Sequence, residues 1–122
     1  MRHRIVIADD DDDVRLLLRV VLAHEKDFEI VGEAATPHDA IDICAQEQPV
    51  AIVIDHEFRG YASGTDAAPT IRERCPNTLI VMFSAYDALR SEMQKSKVID
   101  AFILKTDISA LPAALRSLIE KN

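Results

Sequence analysis

Apolar positions along this chain fall into short continuous runs separated by helically spaced ones. Arg4-Ile5-Val6-Ile7-Ala8 is a β-branched run that stops abruptly at Asp9-Asp10, the pattern of a strand buried on both faces with polar groups at its end. From Asp12 or Asp13 to about Glu25, Val14, Leu17, Leu18, Val21 and Leu22 recur at three and four residues. This predicts a helix whose leading aspartates face the positive end of its dipole. Phe28 to Ala34, with Ile30 and Val31, reads as the second strand. Thr36-Pro37-His38-Asp39 reads as an N-cap with proline at the first helical position, and Ala40, Ile41 and Cys44 line the inner side of the helix that follows. Val50-Ala51-Ile52-Val53-Ile54 is the third apolar run, and it too ends in acid, at Asp55-His56-Glu57.

Residues 58–65 hold Gly60, Tyr61, Ser63 and Gly64 and predict a loop, followed by a third helix from about Asp66 to Arg74. After Pro76-Asn77, the run from Thr78 to Phe83 predicts a fourth strand delivering Ser84 at its end. A weaker amphipathic helix, about Ala88 to Lys97 with Leu89 and Met93 inward, leads to a fifth strand, Ala101 to Leu104, closed by Lys105. Leu111, Leu115, Leu118 and Ile119 stripe the last helix, and Pro112 places its start no earlier than about Ser109. Strand and helix alternate five times, which predicts an α/β domain: a parallel sheet covered on both faces by right-handed crossovers.

Composition narrows the picture. The length of 122 residues, 48% of them apolar, fits a single domain spanning 1–122. Net charge is −7 and no Lys/Arg cluster stands out, so direct nucleic-acid binding by this chain is disfavoured and a protein partner is expected. Met1-Arg2-His3-Arg4 leads into only four apolar residues before the aspartates, too few for a signal peptide or membrane span, and a cytoplasmic protein is expected. Cys44 and Cys75 lack metal-type spacing and are expected as free thiols.

In an open parallel sheet, function gathers beyond the carboxyl ends of the strands. Those ends carry Asp9 and Asp10, Asp55, Ser84 and Lys105. Three carboxylates in one crevice repel unless a hard cation joins them, and oxygen ligands of this kind suit Mg²⁺. With that charge and Lys105 as neutralisers, Asp55 is placed to attack a phosphoryl group in line, and Ser84 to donate a hydrogen bond to the modified aspartate. Asp11, Asp12 and Asp13 read as a solvated helix start, and His3, His24 and His38 as surface residues.

Ile-Ala-Asp9-Asp10, the buried strand ending in Asp55, Phe-Ser84-Ala85-Tyr86-Asp87 and Ala-Phe102-Ile-Leu-Lys105 resemble the receiver domains of two-component response regulators, over essentially the whole chain. The resemblance implies a flavodoxin-like, CheY-like (βα)5 fold with strand order 2-1-3-4-5. It implies Mg²⁺ held by Asp9, Asp10, Asp55 and the backbone carbonyl of Glu57, with Asp55 as phospho-acceptor and Ser84 and Lys105 contacting the phosphoryl group. Phe102 matches the aromatic that swings inward as the serine moves. Val-Gly-Glu-Ala-Ala and Ser-Ala-Tyr-Asp are similar to receivers that precede a LuxR-type helix-turn-helix output. Such a domain takes its phosphoryl group from a histidine kinase or phosphotransfer protein and regulates an output domain or partner. Its enzymatic activity is confined to its own phosphorylation and dephosphorylation. The region from Ala88 through the last helix is where the family dimerises or meets its output, with Arg90, Lys95, Lys97, Asp100, Asp107, Arg116 and Glu120 as candidate interface charges.

The chain departs from the family pattern in three places. Phe58-Arg59 replaces Met-Pro, Gly64 falls nine rather than eight residues after Asp55, and Lys105-Thr106 replaces a Lys-Pro pair whose usual cis bond would here cost about 2.5–4 kcal/mol. No output domain follows Asn122, which leaves a stand-alone receiver and a fragment both open. A receiver that binds partners without phosphorylation is one alternative, made credible by the altered loop. An Asp-based Mg²⁺ phosphohydrolase is another, for which Glu57 is only a partial second acid and no cap domain is evident. His56 is read as a bystander to the chemistry, and Phe58 and Tyr61 as loop packing or as gates.

Overall fold

The computed structural model describes residues 2–60 and 63–121. Five strands, β1 (His3–Ala8), β2 (Phe28–Ala34), β3 (Ala51–Asp55), β4 (Leu79–Ser84) and β5 (Ala101–Leu104), form one sheet in the order β2-β1-β3-β4-β5. Every neighbouring pair is parallel, as the alternation of elements and the family resemblance led us to expect. The three central strands are buried on both faces, which is why their sequences read as unbroken apolar runs.

Helices α1 (Asp12–Ala23), α2 (Pro37–Glu47), α3 (Gly64–Arg74), α4 (Arg90–Gln94) and α5 (Leu111–Lys121) cover the sheet. Alternate strand residues supply two cores. Val6, Ile52, Ile54, Ile80 and Met82 pack with Ala40 and Cys44 of α2, Ala68 and Ile71 of α3 and Met93 of α4. Ile5, Ile7, Val53, Val81 and Phe83 pack with Leu18 and Leu22 of α1 and Leu111 and Leu115 of α5. Among the described residues no helix is long and apolar enough to cross a membrane.

Local chemistry sets the helix starts. Asp11 caps α1 by accepting from Asp13 N–H, Thr36 caps α2 from Asp39 N–H, and Ser63 caps α3 from Asp66 N–H. The last of these corrects the predicted loop: α3 begins at Gly64, two residues before Asp66, because Ser63 supplies a cap inside the stretch read as irregular. Two further expectations fail. Leu17 is 48% exposed and lies beside exposed Leu16 and Val20, since Leu18 and Leu22 set the buried face of α1 and Leu17 sits about 100° round the helix from Leu18. The fourth helix does not span Ala88 to Lys97. A 3-10 turn, Asp87–Leu89, leads into a single short helix, and Ser96 Oγ accepts the N–H groups of Val98 and Ile99, turning the chain into β5. Leu89 and Met93 nevertheless face the core. A 3-10 segment, Lys105–Ala110, precedes α5, and the Lys105–Thr106 peptide is trans like every other described bond.

Candidate functional site

Each candidate residue arrives at the same end of the sheet because β1, β3, β4 and β5 run parallel and stop there together. Asp9 follows β1 and is fully buried, Asp55 closes β3 and is 5% exposed, Ser84 closes β4 and is 1% exposed, and Lys105 follows β5. Ligand oxygens of Asp9, Asp10 and Asp55 all lie within 4.8 Å of one another. Above them is a cavity of about 320 Å³ that Glu57, Arg59, Ser84, Ala85, Tyr86 and Lys105 also line.

Lys105 Nζ lies 2.8 Å from Asp9 Oδ2 and 3.2 Å from Asp55 Oδ1, bridging the two buried carboxylates. Beyond this contact with Lys105, no further partner meets the buried Asp9 Oδ2 among the described residues. Asp9 Oδ1 accepts the Asp11 N–H at 2.9 Å, and Arg15 Nη1 donates to the Asp9 carbonyl at 2.5 Å, which holds the β1–α1 turn in place. Three carboxylates that each bring an oxygen within 4.8 Å of the others form a set of hard oxygen donors that fits a divalent cation such as Mg²⁺.

Burial and the adjacent Asp9 carboxylate push the Asp55 carboxyl up to about 6, against the pull of Lys105 and the Glu57 backbone N–H. Lys105 is burdened by burial, yet Asp9 and Asp55 hold its ammonium above the ordinary lysine value. Asp10 also bears a burial penalty, and Arg59 nevertheless keeps it below the usual carboxylate range.

Behind Asp55 the backbone is tightly packed. A Cβ on Gly64 would stand 2.0 Å from the Asp55 carbonyl oxygen, and Gly64 N–H donates to the His56 carbonyl at 2.9 Å. His56 Nδ1 meets Thr65 Oγ1 at 2.8 Å, so this histidine ties the tip of β3 to the first turn of α3. Ser84 Oγ accepts the Tyr86 N–H at 3.0 Å, leaving its own hydrogen free to turn toward the cavity. Phe102 is buried beneath Arg90, whose guanidinium carbon lies 5.1 Å from the ring centroid. Phe58 is buried in the core, which is the packing alternative for that residue; Tyr61 lies outside the described residues.

Of the charges expected on the face made by α4, β5 and α5, three are engaged within the chain. Arg90 pairs with Asp87, Asp100 with Arg72, and Arg116 with Asp27 and Glu25. Sequence reasoning missed the part played by Arg59, noting only that it replaces a proline. Its Nε and its backbone N–H both donate to Asp10 Oδ2, at 3.0 and 3.2 Å. A lone arginine in a loop opposite an acidic run was the available signal.

The family model of the response regulator receiver domain matches residues 5–116. An uncharacterised transcriptional regulatory protein, YxjL of Bacillus subtilis, is 36% identical over 84 residues, covering 69% of this chain and 38% of that protein. The chain thus spans well under half the length of this relative. Among solved structures, the response regulator domain of Thermotoga maritima CheB superposes with a TM-score of 0.87 at 20% identity, covering 98% of each chain. A DNA-binding response regulator of the LuxR family from Staphylococcus aureus gives 0.83 at 21% identity, covering 96% of this chain and 98% of that one. With the family model spanning residues 5–116 and the parallel order β2-β1-β3-β4-β5 beneath it, the chain belongs to the receiver domains of two-component response regulators.

Proposed function

We propose that Asp55 is the phospho-acceptor of this receiver, taking its phosphoryl group from a histidine kinase or phosphotransfer protein in the cytoplasm. The observation that carries this reading is the convergence of Asp9, Asp10, Asp55 and Lys105 under one open cavity. In the transfer, an Asp55 carboxylate oxygen attacks phosphorus as the bond to the donor nitrogen breaks, and the donor histidine leaves neutral. Water later cleaves the acyl phosphate and restores the carboxylate. These two reactions are the extent of the enzymatic activity proposed here.

Asp9, Asp10, Asp55 and the backbone carbonyl of Glu57 are the groups that would hold Mg²⁺. When bound, the ion supplies charge neutralisation for the phosphoryl oxygens. Lys105 donates to one phosphoryl oxygen, which breaks its bridge between Asp9 and Asp55. Ser84 donates to another, drawing the β4–α4 loop inward, and Phe102 follows the space that Ser84 vacates. The altered surface of α4, β5 and α5 then regulates an output domain or partner, or supports a homodimer.

The test is an amide NMR titration with Mg²⁺ followed by beryllofluoride, because the chain has no Trp to report by fluorescence. Shifts should spread from Asp55 to Ser84 and Phe102 and be absent in Asp55→Asn. A wild-type spectrum that responds to Mg²⁺ and ignores beryllofluoride would instead favour a phosphorylation-independent binding module. Steady turnover of simple phosphate esters would favour the phosphohydrolase.

A further inference from the structure

Beside the bridge made by Lys105, the acidic cluster has a second cation that the proposed chemistry does not use. Arg59 lies in the loop after β3, four residues beyond Asp55. Its neighbour Phe58 is buried and anchors the loop, and Gly60 follows in the left-handed region at φ 77°. This anchoring brings both Arg59 donors, Nε and the backbone N–H, onto the single oxygen Oδ2 of Asp10. The Asp10 side chain is 17% exposed, whereas that of Arg59 is 80% exposed. A loosely held guanidinium therefore rests on a sheltered carboxylate.

We propose that Arg59 is a built-in competitor for Asp10, lowering this receiver's affinity for a divalent cation. The inference rests on the reading of Asp9, Asp10 and Asp55 as the cation site. Two electrostatic effects fix its sign. Partners that make a metal ligand a better donor are acceptors such as carboxylates and carbonyls, which push electron density toward it. A cationic donor withdraws density from Asp10. A guanidinium held at the cluster also repels a second positive charge directly.

The surroundings let the contact open. Arg59 lines the cavity over the carboxylates and also a neighbouring one of about 630 Å³, whose walls include Glu57, Ser63 and Tyr86. A guanidinium displaced from Asp10 can move into that second cavity, where the exposed Glu57 carboxylate is available as a partner. With Arg59 in place of the family's proline, this segment carries both a mobile cation and a backbone donor for Asp10.

The test compares Mg²⁺ affinity in the wild type, Arg59→Ala and Arg59→Lys at fixed ionic strength, by calorimetry and by amide shifts of residues 9–11. The control is Arg74→Ala, which removes one positive charge at the far end of α3, where Arg74 pairs with Asp42. Arg59→Ala should bind Mg²⁺ about two- to fivefold more tightly, the scale of an exposed ion pair, and the difference should narrow as salt is added. Arg59→Lys, which keeps the charge and loses the Nε donor, should fall between. Equal or weaker binding by Arg59→Ala, with the wild type still binding, would overturn the competitor role and leave the cation site standing. No Mg²⁺ binding by either chain would remove the cation site itself, and the competitor with it.

Discussion

Asp55 sits in a place that a carboxylate resists. Its carboxyl is pushed up to about 6 by burial and by Asp9, so between the ordinary carboxylate value and that point the folded chain holds a proton the unfolded chain has released. Stability therefore falls as pH rises through this window and stays lowered above it. Asp55→Asn removes the titration while keeping the shape. In metal-free buffer at about pH 7.5 the variant should be more stable than the wild type by roughly 1–3 kcal/mol, following a shift of about two pH units. At about pH 4.5, where the wild-type carboxyl is largely protonated, most of that gain should vanish. Urea unfolding at the two pH values measures both, and a gain independent of pH would refute the assignment of the strain to ionised Asp55.

At the scale of elements, the join between β3 and α3 is the least forgiving. Gly64→Ala would drive a Cβ to 2.0 Å from the Asp55 carbonyl oxygen, backbone against backbone, so the first turn of α3 must shift away from the end of β3. A cost of about 3 kcal/mol or more is expected. Gly60→Ala meets nothing within 4 Å among the described residues and carries the penalty of a left-handed φ, about 1–2 kcal/mol. Urea midpoints should rank the two in that order. On the same side of the sheet, Cys44 of α2 and Cys75 at the end of α3 are buried as neighbours, and burial pushes the Cys44 thiol up to about 12. Thiol reagents should label neither until the domain unfolds, as a time course in increasing urea would show.

These joins also mark what the sequence made legible. The strands were readable because burial on both faces leaves continuous apolar runs. The acids were readable because a charge directly after such a run has only the strand end to occupy. Leu17 was misread because periodicity reports which residues are apolar and says nothing of how wide a face the sheet covers. The fourth helix was overextended because Lys95 and Lys97 are good helix formers while the hydroxyl of Ser96 closes the chain on Val98 and Ile99. Arg59 was invisible as a partner of Asp10 because their contact spans 49 positions and depends on how Phe58 packs.

For the molecule as a whole, stability and function pull against each other at one end of the sheet. The chain has a net charge of −7, and three of its carboxylates converge where β1 and β3 end. Most of the remaining fold is two continuous apolar cores that gain nothing from this arrangement. A divalent cation bound only by the folded state should repay the difference: at a hundredfold excess over its dissociation constant it adds about 2.7 kcal/mol. For a domain of this size that is a rise in Tm of roughly 8–15 °C. NaCl at matched ionic strength should not reproduce it, and Asp10→Asn should lose most of it. The sharper comparison uses Asp55→Asn, more stable than the wild type in EDTA because it lacks the ionised carboxylate, and a poorer ligand for the same reason. Saturating Mg²⁺ should raise the wild type much more than the variant, so the gap measured in EDTA should close. A gap of equal size with and without Mg²⁺ would mean that the strain at Asp55 and the cation site are separate, and that the acidic cluster is not held in this strained form for metal binding.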